Sequence, residues 1–153
     1  MDNSIIIKLE HGNNVQKSNE EVKINRISSS VSPYHFIRLV GIADNKINPR
    51  SAKENGITSD IRETLETSPN LFWLMSKGIL LATENCTILD RGRIRLTVNG
   101  EREGIMDGGH NALAISQYLV SKLYPKNKLF KTWEDCKNFW AENEKDIIKK
   151  FNE

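Results

Sequence analysis

The sequence predicts an α+β domain, and three observations carry that prediction. Short stretches alternate apolar and polar residues with the period of a half-buried strand, most cleanly from Gly92 to Val98. Longer stretches keep the 3.6-residue period of an amphipathic helix, from about His110 to Leu123 and from Thr132 to Phe151. At 153 residues, without internal repeat or low-complexity block, the chain has the length of one domain able to bury a real core.

Composition excludes several classes. The 22 basic and 20 acidic residues leave a net charge of +2, so no global field calls for nucleic acid or an anionic membrane. Cys86 and Cys136 stand far apart and form no metal or redox spacing, which suits a reducing cytoplasm. The start, Met1 to Ile7, lacks the basic segment and long apolar run of a signal peptide, and no run is long enough to span a bilayer. The expectation is a cytoplasmic chain with no membrane partner.

Taken in order, Ser4 to Leu9 is rich in isoleucine and reads as a strand, followed by a polar loop from His11 to Glu20. Glu21 to Ile27 alternates and reads as a second strand, paired with the first. Ser28-Ser29-Ser30 and Pro33 break the pattern, and Tyr34 to Ile42 reads as a strand leading into a helical turn. Asn48-Pro49-Arg50-Ser51 is a loop signal. A helix starts near Asp60, capped by Thr58, Ser59 or Asp60, with Ile61 and Leu65 on one face. Ser68-Pro69 has the form of an N-cap with proline at the first helical position, and the short helix after it ends at Gly78. Its Phe72-Trp73 pair reads as core, with base stacking by Trp73 as the alternative.

Ile79 to Thr83 and Thr87 to Leu89 read as strands. In the next one, Ile94, Leu96 and Val98 share a face. Arg91, Arg93 and Arg95 share the other, a short basic stripe that either grips phosphates or is simply solvated. Asn99-Gly100 is the favoured pair for a two-residue hairpin turn, and the return strand, about Glu101 to Met106, leads into Asp107. Pro125 ends the helix that follows. Thr132 caps the last helix, whose Trp133, Cys136, Trp140, Ile147 and Phe151 keep helical spacing.

The segment with chemical content is Ile105-Met106-Asp107-Gly108-Gly109-His110-Asn111, a strand end running into a helix start. Two readings are open. Paired glycines at a helix N-terminus leave unpaired N–H groups and a partial positive charge, a place for an anion such as phosphate. The same residues also make a plain tight turn, with Asp107 complementing the helix dipole. Asp107 is a candidate to take a proton or hold a cation, with Glu101 and Glu103 on the same strand face, and neutral His110 is a candidate donor to an oxyanion. No metal site is expected: His11, His35 and His110 have no ligand partner at metal spacing. No nucleophile elbow and no Walker-type loop occurs.

Several of these motifs, in order, resemble the abortive phage infection (AIPR) family: Asn48-Pro49-Arg50, Ile61-Arg62-Glu63-Thr64-Leu65, Pro69 with Phe72-Trp73, Lys77-Gly78-Ile79, and Ile105 to His110. The likeness spans about residues 34 to 122. A more distant likeness is to DGQHR-motif proteins and, through them, to the ParB and sulfiredoxin-like fold. That resemblance implies a single α+β domain over residues 1 to 153, with a mixed sheet and flanking helices. It also implies a phage-defence role and a phosphate-bearing ligand, nucleotide or nucleic acid, at Asp107, Gly108, Gly109, His110 and Asn111, with Asn48, Arg50 and Lys77 as neighbours.

Two departures matter. Asn111 stands where the DGQHR pattern has arginine, and Ser76-Lys77 replaces Asn-Asn, so Lys77 brings a charge the pattern lacks. AIPR proteins continue well past the motif helix, whereas this chain ends about thirty residues after it, as an N-terminal piece or a minimal member does. Two alternatives stand beside phosphate recognition. One is a nucleotide or phosphodiester hydrolase using Asp107 with a divalent ion. The other is a non-catalytic interaction domain whose Trp133 and Trp140 dock a second copy or a missing C-terminal region. No cofactor is assigned.

Overall fold

The computed structural model describes residues 4–10, 15–43, 48, 52–99 and 101–152. Pro49, Arg50, Ser51, Gly100 and His11 lie outside them. The element order is β1 (Ser4–Lys8), β2 (Val15–Asn19), β3 (Ile24–Ser28), α1 (Pro33–Ile42), α2 (Gly56–Thr67), a 3-10 turn (Pro69–Leu71), α3 (Phe72–Met75), β4 (Leu80–Ala82), β5 (Asn85–Leu89), β6 (Arg93–Thr97), β7 (Gly104–Asp107), α4 (Gly109–Leu123) and α5 (Trp133–Asn152). The class is α+β. In place of one mixed sheet, the described strands form three small antiparallel sheets, β1-β6-β5, β2-β3 and β4-β7.

The alternation of β6 is realised. Ile94, Leu96 and the following Val98 are buried, and Ile94 and Leu96 pack with Ile7 and Leu9 while Arg93 and Arg95 face out. Arg91 does not join that row, because it sits in the preceding turn at φ 58°. Gly100 of the expected Asn99-Gly100 hairpin lies outside the described residues, but β6 and β7 do not pair as that hairpin requires. A strand has two edges, and those of β6 are taken by β1 and β5. The chain instead turns through Asn99, whose carbonyl accepts from the amides of Arg102 and Glu103 at 3.1 and 2.9 Å. β7 then crosses to β4, in the register Leu81 to Ile105 and Leu80 to Asp107. Glu103 is thereby buried before the strand begins, with its carboxylate accepting from the Asn99 amide, and Glu101 lies in the turn, so neither shares a strand face with Asp107.

Two further elements differ from expectation. Residues 33–42 are a helix throughout. Ser32 caps it by accepting from the His35 amide, Pro33 occupies the first position, and Phe36, Ile37 and Val40 form its buried face. The second strand of the alternating segment, β3, pairs with β2 rather than β1. β2 falls in the stretch read as loop, because a strand exposed along its whole length has no burial pattern to read.

The main core lies where α1, α4 and α5 meet the inner side of β7. Thr132 does cap α5, accepting from the Asp135 amide at 3.1 Å. Trp133 and Trp140 are 4% and 2% exposed, so both indoles belong to this core and present no docking surface. Trp73 is the reverse. It was expected inside and is 62% exposed, with Leu71, Leu74 and Met75 outward beside it, because the one-turn α3 offers only Phe72 to its neighbours. Among the described residues no helix is long and apolar enough to cross a membrane.

Candidate functional site

The site is built where β7 ends. Gly108 takes φ +81°, a left-handed conformation that costs an L side chain about 1–2 kcal/mol, and the chain turns there from strand into α4. Space imposes the same choice. A Cβ on Gly108 would lie 2.4 Å from the Gly78 carbonyl oxygen and 2.9 Å from the Ile79 Cα. The turn is thus pressed against the backbone entering β4. The Asn111 side-chain amide closes the contact, donating to the Gly78 carbonyl at 2.8 Å.

The donors at the helix start divide into two sets. The Gly108 amide donates to Oδ1 of the neighbouring Asp107 at 2.8 Å, so this acid is turned onto the loop it precedes. The first intrahelical bond runs from the Ala112 amide to the Gly108 carbonyl at 2.9 Å, and no side chain caps the helix. Among the described residues, the amides of Gly109, His110 and Asn111 therefore begin α4 as the unfilled donors of a helix N-terminus. His110 is half-buried, and its Nδ1 atom is buried with no hydrogen-bond partner among the described residues.

In front of this turn lies a cleft of about 460 Å³. It is lined by Asp107, Gly108, Gly109, His110 and Asn111, by Lys77 and Gly78, and by Asn48. Three segments distant in sequence therefore meet on one concave surface. The opposite wall was not legible in the sequence. It comes from α2, which presents Ile57, Asp60, Ile61 and Thr64, and from Phe72 and Met75 of α3. The helix begins at Gly56 rather than near Asp60, because Asn55 is its cap. The Asn55 side chain accepts from the Thr58 amide at 3.1 Å while the Thr58 hydroxyl accepts from the Asn55 amide at 2.8 Å. That reciprocal pair, an Asx residue three before a hydroxyl, was the signal in the sequence for the earlier start.

Behind the wall, Arg62 donates to Glu54 at 3.1 Å and to the buried Gln117 of α4 at 3.0 Å. Gln117 in turn donates to the Phe130 carbonyl. This chain of polar groups fixes α2 against α4 and so sets the width of the cleft.

Chemically, the surface has two characters. The amide donors, the exposed Lys77 ammonium and the His110 ring suit an oxyanion. Ile57, Ile61, Phe72 and Met75 supply an apolar lining for a ring, and the Asp60 carboxylate can accept from a hydroxyl or amine. Among the described residues no group of three or more His, Cys, Asp or Glu side chains could hold a metal ion. Fold and site define an α+β domain with a strand–Asp-Gly-Gly-His–helix turn opening on a cleft. The chain matches no family model, and comparison with curated proteins and with solved structures finds no match either.

Proposed function

We propose that this domain recognises a phosphate-bearing ligand, a nucleotide or the phosphate end of a nucleic acid, in a cytoplasmic phage-defence protein of the AIPR kind. The observation that carries the reading is convergence: Asn48, Lys77 and Asp107 to Asn111 line one cleft of about 460 Å³, within the range of small-molecule sites. The phosphate sits on the amides of Gly109, His110 and Asn111, with Lys77 supplying charge and the His110 ring a further donor. The base lies against Phe72, Ile61 and Met75. The ordered motifs that resemble the AIPR family support the defence role, and the more distant likeness to the ParB and sulfiredoxin-like fold supports the phosphate.

The hydrolytic alternative has Asp60, Asp107 and His110 in the lining of the cleft, but among the described residues no group of three such side chains is placed to hold a metal ion together. Binding is therefore the reading we hold.

Calorimetric titration with nucleoside triphosphates and with 5′-phosphorylated oligonucleotides at low salt tests it. We expect saturable binding that weakens at least tenfold in Lys77→Ala and in His110→Ala. Absence of binding by the wild type, or unchanged affinity in both well-folded variants, removes the reading. Turnover with magnesium or manganese that disappears in Asp107→Asn would replace it with the hydrolase.

A further inference from the structure

Two pairs of cations face each other across strands of the two sheets that hold β1, β2, β3 and β6. Lys8 of β1 stands directly opposite Arg93 of β6, and Lys17 of β2 directly opposite Arg26 of β3. All four are exposed, as is Arg95, two residues further along the same face of β6. Like charges directly opposed weaken a strand pair, because their Cβ atoms are only about 5 Å apart. None of the five has an acidic partner among the described residues, whereas Arg62 pairs with Glu54 and Lys122 with Glu66. With 20 acidic residues in the chain, this arrangement is local and not forced by an excess of positive charge.

Both pairs also point away from one apolar cluster. Ile7, Ile94 and Leu96 turn into one apolar cluster, and Ile27 packs against it. Alternation along a strand sends Lys8, Arg93 and Arg95 to the side away from that cluster, and sends Arg26 away from Ile27. The ends of β1 and β3 are joined where the Glu10 amide donates to the Ser30 carbonyl at 2.8 Å. Beyond that join, β2-β3 is a two-stranded ribbon exposed at every position but Ile27.

We propose that these cations bind duplex nucleic acid, the β2-β3 ribbon lying along the major groove with Lys17 and Arg26 on its flanking phosphates while Lys8, Arg93 and Arg95 hold the adjoining ones. A two-stranded ribbon is of the width that the major groove admits. The polyanion relieves both cation–cation repulsions at once, and its released counterions supply free energy. Arg93 is prepared for a phosphate, because its Nε donates to the Asp90 carbonyl at 3.1 Å and orients the guanidinium. This surface is separate from the cleft and does not rest on the reading given there.

Fluorescence anisotropy of a labelled 20-base-pair duplex, followed from 50 to 200 mM salt, tests the proposal. Five phosphate contacts give a slope of log K against log salt of about −4.5, and each double variant, Lys8→Gln with Arg93→Gln or Lys17→Gln with Arg26→Gln, should be shallower by about 1.8. The thermal stability of both variants should hold or rise, since each deletes an opposed like-charge pair. His110→Ala should leave the slope as it is, which tells failure of this proposal from failure of the cleft reading. No duplex binding at 50 mM salt, slopes unchanged in both double variants, equal binding of the single strand, or binding confined to phosphatidylserine vesicles would each overturn it.

Discussion

Arg62 of α2 and Gln117 of α4 meet across 3.0 Å, and that contact joins the far wall of the cleft to the helix whose first turn faces it. Gln117 is fully buried, and its two ends are both engaged, by Arg62 and by the Phe130 carbonyl. Gln117→Leu keeps the volume but strands the Phe130 carbonyl and removes an acceptor from Arg62. We expect a loss of about 1–3 kcal/mol in urea denaturation. A loss under about 0.5 kcal/mol, the size of an ordinary surface change, would mean the chain of polar groups does not secure α2.

Gly108→Ala places a methyl against the Gly78 carbonyl in a left-handed turn. The two effects together should lower stability by at least ~2 kcal/mol. Gly41→Ala is the contrasting change, since nothing lies within 4 Å of a Cβ there and the residue is inside α1. It should stabilise by about 0.5–1 kcal/mol. Equal effects at the two glycines in thermal melts would contradict the close approach of the turn to β4.

Acid should expose the state of His35. Burial holds its pKa below the ordinary 6.5, the Arg38 guanidinium and, less strongly, Lys8 act in the same direction, and Glu10 opposes them. Its Nδ1 atom is buried with no hydrogen-bond partner among the described residues, and it sits in the first turn of α1, where the helix dipole also disfavours the cation. The unfolded chain therefore takes up this proton more readily than the folded one. The contribution of His35 is complete above about 6.5, is lost as pH falls from there to the lower folded value, and is constant below it. Denaturation curves across that range should be flatter for His35→Gln than for the wild type, and parallel curves would refute the assignment.

Thiol chemistry should separate the two cysteines. Cys136 is fully buried between α4 and α5, and burial pushes its thiol up to about 12. Cys86 lies on the exposed edge strand β5, its thiol raised more modestly by partial desolvation. Iodoacetamide on the native protein should modify Cys86 slowly and Cys136 only after unfolding, as read by peptide mass spectrometry. Native labelling at Cys136 would show that the α4–α5 contact opens readily.

Much of the candidate site could be read from the chain. The glycine turn, its histidine and its helix are contiguous residues, and α4 and α5 carry their buried faces in plain 3.6-residue spacing. The helix over 33–42 was missed although Ser32-Pro33 repeats the serine–proline signal noted at Ser68-Pro69, where the Ser68 side chain makes no capping bond. The apolar run after Pro33 is short enough to suit a strand as well as a helix, and only packing of Phe36, Ile37 and Val40 against α4 and α5 decides between them.

What the sequence by itself determined is the local grammar: the α+β class, the alternation of β6, the Thr132 cap, and a turn with no side chains at two adjacent positions. These depend on residues a few positions apart. Tertiary structure alone decided that β7 leaves β6 for β4, that Lys8 meets Arg93, and that α2 brings Asp60 and its apolar neighbours before the turn. The reason is physical. Strand edges and helix faces choose partners by what remains unpaired once the rest of the chain is in place, and no local pattern records that competition.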